Sequence, residues 1–152
     1  MARIVVPWTR EHLECREALE AFHPEYVNVA SDDLAYWRLV RDLWVAGEPF
    51  TLVEHDVLVT PETLPALDAC PERFCSYSVW MGEGSVAAFG CVRFRPVGAW
   101  PVEPFEWRRL DVETEYALTR LGWQKHVHYP TLMHLNPGVV ELARLVSFLL
   151  AT

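Results

Sequence analysis

The chain has 152 residues, 51% of them hydrophobic, and a formal net charge of −8. This length and composition predict one folded domain with a substantial core and argue against disorder. The acidic balance, without any run of lysine or arginine, disfavours a nucleic-acid partner.

A cytoplasmic protein is expected, because the sequence shows neither a signal peptide nor a transmembrane segment. The apolar run in residues 1–7 is too short for a signal peptide and ends in Pro7. No stretch reaches the roughly 18 apolar residues of a spanning helix, so no transmembrane segment is expected. Reduced thiols are therefore expected at Cys15, Cys70, Cys75 and Cys91. Cys70 and Cys75 are close enough in the sequence to form half of a zinc site. Two cysteines are weak evidence for zinc, so simple buried thiols are the favoured interpretation.

Strand and helix patterns alternate over residues 1–60. Strands are predicted at residues 4–6, 26–29 and 50–59, with helices over 10–21 and 32–46. Thr9 is expected to cap the first helix, whose apolar face would be Leu13, Ala18 and Leu19. Ser31, Asp32 and Asp33 are expected to cap the second. The alternation predicts an α/β protein with a three-layer α/β/α, mixed but mainly parallel sheet, whose ligands bind at the carboxyl ends of the strands.

The remaining chain is less regular. A short helix is predicted at residues 61–67, strands at 74–80 and 87–94, and a helix at 112–121. An apolar helix is predicted at residues 139–150. It would be too short to span a bilayer, which leaves packing on the domain, a homodimer contact or a membrane surface.

Three ionisable residues, Glu54-His55-Asp56, interrupt the apolar run 50–59. Burying them is costly unless they are paired or bind a cation, so the strand should end here. Carboxylates with one imidazole suit Mn²⁺ or Mg²⁺. His126, His128 or His134 would supply that imidazole, although surface or hydrogen-bonded core histidines explain the three equally well.

The "VEHDV" strand, the "GCVRFR" strand and the "HVHYP…H" segment together resemble small GT-A-fold glycosyltransferases of actinobacteria and their phages. The resemblance covers residues 3–136. It implies a compact GT-A fold with a nucleotide-binding half (1–60), an acceptor and metal half (61–138) and a C-terminal helix (139–152). It also implies metal-dependent transfer of a sugar from a nucleotide-sugar donor, by default a UDP-sugar, to a sugar or protein acceptor. A phage-encoded member would act in the host cytoplasm.

The resemblance also assigns roles to residues. Glu54-His55-Asp56 stands where such enzymes have a DxD motif, so Asp56 would bind the metal and Glu54 the ribose or the water on the metal. Asp111 stands at the catalytic base of inverting members, although Leu110 replaces the preceding glutamate and an ordinary helix cap explains Asp111 equally well. The metal-binding histidine of the fold matches His128, or else His126 or His134.

The donor-binding positions carry over in the same way. The first-strand loop borders the nucleoside, Asp32 or Asp33 would meet base or ribose if not occupied in capping, and the glycine-containing strand lies near the donor sugar. The residues concerned are Pro7, Trp8, Thr9, Arg10, Asp32, Asp33, Glu54, His55, Gly90 and Arg93. Aromatic side chains that could stack on a sugar are Trp80, Trp100, Phe105 and Trp107.

Two alternatives to a transferase stay open. The small size and the missing glutamate before Asp111 fit a nonenzymatic GT-A-like binding module. The same acids and histidines also suit a metal-dependent phosphoester hydrolase.

Overall fold

The structure, a computed structural model, describes residues 1–80 and 84–135. The helices are α1 (Leu13–Leu19), α2 (Ala35–Ala46), α3 (Thr63–Ala69) and α4 (Leu110–Arg120), with 3₁₀ turns at Glu20–Phe22 and Trp107–Arg109. The strands are β1 (Arg3–Trp8), β2 (Glu25–Asn28), β3 (Phe50–Val53), β4 (Val57–Leu58), β5 (Phe74–Trp80), β6 (Ser85–Val86), β7 (Cys91–Phe94) and β8 (Lys125–His134).

These strands form one sheet in the order β2-β1-β3-β7-β5-β8-β4, with β6 paired to β5. Strands β1, β2, β3, β5 and β8 run in one direction, whereas β4, β6 and β7 run in the other. The mixed, mostly parallel α/β sheet confirms the predicted fold class. The sheet passes through both predicted halves, because β7, from the second half, pairs with β3 from the first.

Each face of the sheet has its own hydrophobic cluster. Val5 and Leu52 point to the face covered by α2 and α4. Ile4, Val6 and Val53 point to the face covered by α1 and α3. Neighbouring residues of a strand alternate between faces, so these unbroken apolar runs fill both layers.

Helix α2 follows its sequence pattern closely. The residues expected to face inward are all buried: Tyr36, Trp37, Val40, Leu43 and Trp44. Gly47 ends the helix in a left-handed conformation (φ 77°), and its N–H donates to the Trp44 carbonyl.

The predicted caps of both early helices are wrong in detail. Helix α2 begins at Ala35 rather than 32, and the Asp32 carboxylate instead accepts the Leu34 N–H (2.9 Å) in the preceding turn. Helix α1 begins at Leu13 after His12, with no side-chain cap, so Thr9 lies outside it. Leu13, which was expected on the buried apolar face of this helix, is instead 61% exposed.

The second half matches the prediction in part. Strand β5 has its predicted bounds, whereas β7 begins four residues later than expected, at Cys91. Helix α4 begins two residues earlier than expected, at Leu110. The predicted helix 139–150 and its homodimer contact lie outside the described residues. No described helix is long and apolar enough to cross a membrane.

Candidate active site at the carboxyl end of strand β3

Three backbone hydrogen bonds hold the Glu54-His55-Asp56 segment. Strand β3 ends at Val53, as the ionisable residues predict. The Glu54 N–H donates to the Gly90 carbonyl (2.9 Å), and the Val57 N–H turns back to the Glu54 carbonyl (3.1 Å). The Leu135 N–H donates to the Asp56 carbonyl (2.6 Å). The segment is therefore fixed by residues far away in the sequence.

His134 is the histidine that meets the acidic segment. Strand β8 runs antiparallel to β4 and places His134 opposite Val57. The His134 Nε2 lies 3.0 Å from the Asp56 Oδ2, and the two side chains are only 12% and 19% exposed.

Each member of this pair stabilises the charged form of the other. Burial raises the pKa of Asp56, but the hydrogen bond and charge of His134 outweigh it, so the pKa lies below its usual value. The hydrogen bond to Asp56 raises the pKa of His134 despite the opposing effect of burial. Without a metal, protonated His134 and the Asp56 carboxylate form an ion pair at the strand end, and His134 must release that proton before its Nε2 can bind a cation.

Glu54 is the carboxyl group of the site whose ionisation is least favourable. Burial raises its pKa to about 7, and the carboxylates of Asp56 and Asp111 add to the effect. The Tyr36 hydroxyl lies 3.4 Å from the Glu54 Oε1, and burial raises the pKa of that phenol as well. Three carboxyl groups therefore converge where a cation would relieve their repulsion.

These side chains open into a cleft of about 650 Å³. Its walls come from the ends of β1, β2 and β3 and from the start of α4. The Trp107 N–H donates to the Asp33 carbonyl (3.2 Å) and ties one wall to another. The lining residues are Pro7, Thr9, Val29, Ala30, Asp32, Asp33, Tyr36, Glu54, His55, Asp56, Phe89, Trp107, Arg108, Asp111 and His134.

Asp111 lies in the first turn of α4 rather than at its cap. The cap position is held by Arg109, which makes no side-chain hydrogen bond there. The positive end of the helix dipole stabilises a negative charge at this position. Asp111 lines the cleft, and it does not occupy the cap position of the helix.

Trp8 and Arg10, predicted beside the nucleoside, line a neighbouring cavity of about 330 Å³. His55 lines both this cavity and the cleft. Burial lowers the pKa of His55, and its ring lies 5.4 Å from that of His12. His55 is thus the wall between the two cavities.

Four further predicted site residues line neither the cleft nor this cavity. Gly90 packs against Val57 and Val79, and a Cβ there would come within 2.9 Å of a Val79 methyl. Arg93 is buried (1% exposed), and its guanidinium donates to the carbonyls of the 68–72 segment. His126 and His128 lie near the start of β8, and six residues of strand, about 20 Å, separate His128 from His134.

Sequence reasoning missed several cleft residues, among them Tyr36, Phe89 and Arg108. Tyr36 sits on the inward stripe of α2, where an aromatic residue is ordinarily core, yet its hydroxyl reaches Glu54. Phe89 precedes the short strand β7, and Arg108 lies in the turn before α4. The pair Arg108-Arg109 just before an expected catalytic carboxylate was the available signal for an anion contact.

Asp56 and His134 fit a divalent cation in chemistry and spacing. Ligand atoms bonded at about 2.1 Å and 90° apart are about 3 Å from each other, as the Asp56 Oδ2 and His134 Nε2 are. A carboxylate with one imidazole suits Mn²⁺ or Mg²⁺. Within the described residues, the buried His134 Nδ1 has no hydrogen-bond partner, so this ring is held only through its Nε2.

No family model and no curated protein matches the sequence. Among solved structures, the chain is similar to A197 from STIV, with a TM-score of 0.59 and 10% identity over 87% of this chain and 83% of that one. A glycosyltransferase involved in the glycosylation of the major capsid of PBCV-1 aligns with 89% of this chain and 94% of its own, at 13% identity and a TM-score of 0.47. The first similarity concerns the fold alone, and the second is too distant to add to it.

Proposed function

We propose that the chain is a metal-dependent glycosyltransferase of the GT-A type that moves a sugar from a nucleotide-sugar donor to an acceptor hydroxyl with inversion. One observation carries this proposal: Asp56 and His134 meet at 3.0 Å, at the end of a parallel strand, in a cleft that also contains Asp111. The resemblance of the "VEHDV" and "HVHYP…H" segments to that family supports it.

The donor would occupy the cleft of about 650 Å³, a volume within the range of small-molecule sites. Pro7, Thr9 and Asp33 border the part nearest β1 and β2, where the nucleoside is proposed to lie. A UDP-sugar is the default donor that the family resemblance implies. Arg108 lies on the wall of the same cleft, where its guanidinium can meet a diphosphate oxygen.

Asp56 and His134 would hold Mn²⁺ or Mg²⁺, and Glu54 would contact the ribose or a water on the metal. The cation, when bound, supplies charge neutralisation for the departing diphosphate. The three carboxyl groups around the site leave excess negative charge that a cation would offset. Asp56, already held ionised by His134, is the group best prepared to bind one.

Asp111 is the proposed general base. Its carboxylate takes the proton of the acceptor hydroxyl as that oxygen bonds to the anomeric carbon of the sugar. The bond from that carbon to the diphosphate oxygen breaks, and its electron pair leaves with the nucleoside diphosphate. A single displacement of this kind inverts the configuration at the anomeric carbon.

The proposal is tested by release of nucleoside diphosphate from UDP- and GDP-sugars with and without Mn²⁺. Asp56→Asn should lower the Mn²⁺-dependent rate at least about 100-fold, the usual scale for losing a preorganised charge-stabilising group. Asp42→Asn makes the same change on the exposed surface of α2 and should leave the rate unchanged. Equal activity in the two variants would contradict the proposal.

Thermal-shift titration separates the alternatives. UDP or GDP should stabilise the protein only with Mn²⁺ present, and inorganic phosphate should not. Nucleotide binding without turnover would indicate a nonenzymatic module. Cleavage of simple phosphoesters without nucleotide binding would indicate a hydrolase.

A further inference from the structure

Two cysteines and two histidines meet at the end of the sheet away from the cleft. Cys70 follows the last residue of α3, and Cys75 lies near the start of β5. His126 pairs with Cys75 across the parallel β5–β8 ladder. His128 lies two residues further along β8 and so on the same face. The topology therefore gathers four residues that the sequence separates into two pairs.

Their ligand atoms are close together. One atom each from Cys70, Cys75 and His128 lies within 4.8 Å of the other two. The Cys70 Sγ is 3.2 Å from the His126 Nδ1, and the two imidazole rings have centroids 4.5 Å apart. Tetrahedral zinc with two sulfur and two nitrogen ligands needs ligand-atom separations of about 3.3–3.8 Å. Binding of zinc would draw the four ligand atoms to these separations by rotation of their side chains.

Other contacts also suit a bound ion. The His128 Nε2 is fully buried and has no hydrogen-bond partner within the described residues. An Arg93 Nη2 donates to the Cys75 Sγ (3.2 Å), a contact that stabilises a thiolate and acts as an outer-shell partner of the site. The same nitrogen donates to the Cys70 carbonyl (2.7 Å), so Arg93 contacts both cysteines of the cluster.

We infer that Cys70, Cys75, His126 and His128 form a structural zinc site. Thiolate and imidazole ligands favour Zn²⁺, whereas Mn²⁺ and Mg²⁺ bind mainly through oxygen ligands such as the carboxylate of Asp56. With four protein ligands the site is closed, as structural rather than catalytic zinc sites are. The exposed ring of His126 gives the ion a path of entry. The site ties α3 and β5 to β8.

Metal analysis of the full chain, purified with zinc in the medium, tests this inference. Wild type should hold about one zinc per chain, and Cys70→Ser should lose it. Cys15→Ser is the matched control, because Cys15 is another buried free thiol away from the cluster. It should keep the zinc, as should Asp56→Asn, whose lesion lies in the cleft. Removal of zinc by a chelator should lower the wild-type Tm by about 5–10 °C.

Cobalt replacement keeps the test decisive if Cys70→Ser does not fold. Co²⁺ added to metal-free wild type should give a thiolate-to-cobalt charge-transfer band, and zinc should remove it. A folded wild type with neither zinc nor this band would overturn the inference, as would loss of zinc in Cys15→Ser. Loss of zinc in Asp56→Asn alone would place the ion in the cleft and overturn it too. None of these readouts depends on nucleotide or on turnover.

Discussion

Replacing Glu54 by glutamine removes a carboxyl group whose ionisation opposes folding. Burial, with the charges of Asp56 and Asp111, raises the pKa of Glu54 from 4.5 to about 7. The folded chain therefore binds a proton more tightly than the unfolded chain does. The wild type loses stability as pH rises from about 4.5 and stops losing it above about 7. The glutamine variant lacks this loss.

The magnitude follows from the two pKa values. The two pKa values differ by about 2.5, and each pKa unit corresponds to about 1.36 kcal/mol. The upper bound is therefore about 3 kcal/mol. Solvent reaches part of the side chain and screens the charges, so a gain of about 1–3 kcal/mol is expected at pH 8. Glutamine can still accept the Tyr36 hydroxyl, so that contact does not change the balance.

Urea unfolding at pH 5 and pH 8, without added Mn²⁺ or Mg²⁺, measures the effect. The stability gain of Glu54→Gln over the wild type should be small at pH 5 and much larger at pH 8. Glu48→Gln, an exposed glutamate after α2, should change the free energy of unfolding by less than about 0.5 kcal/mol at either pH. A Glu54→Gln variant that is no more stable than the wild type at pH 8 would refute the reasoning.

Packing gives two further predictions. Gly90→Ala should cost about 1–3 kcal/mol, because the added Cβ would meet a buried Val79 methyl at 2.9 Å, and Gly84→Ala, with open space around it, should cost almost nothing. Thermal unfolding checks this, and equal Tm values for the two variants would contradict it. Leu118→Ala should cost about 2–5 kcal/mol because Leu118 is fully buried, against less than about 0.5 kcal/mol for Leu121→Ala at a site 61% exposed. The denaturant midpoints of these two variants test this prediction. Similar midpoints would show that α4 does not pack as described.

Local patterns predicted the elements whose cause is local. Helix α2 carries its buried stripe in its own spacing, and β3 ends where ionisable residues begin. Local patterns also predicted part of the candidate site. Glu54 and Asp56 come directly after a buried strand, and Asp111 lies at the start of a helix.

Long-range pairing explains the rest. The insertion of β7 between β3 and β5 depends on which strands meet, and no local pattern specifies that. The histidines show this best: a ten-residue strand carries His134 to one end of the sheet and His126 and His128 toward the other. From the sequence the three appear as one cluster. Only the length of β8 and its two partners separate them.

The hydrogen bonds around residues 54–56 have a consequence for the order of folding. Glu54 is held by Gly90, and Asp56 by Leu135 and His134, all of them distant along the chain. Closing such long loops is slow, and contacts of high sequence separation form late. During synthesis the acidic segment therefore emerges well before its imidazole partner exists. The proposed cation site would therefore be complete only when β8 pairs with β4 and brings His134 to Asp56.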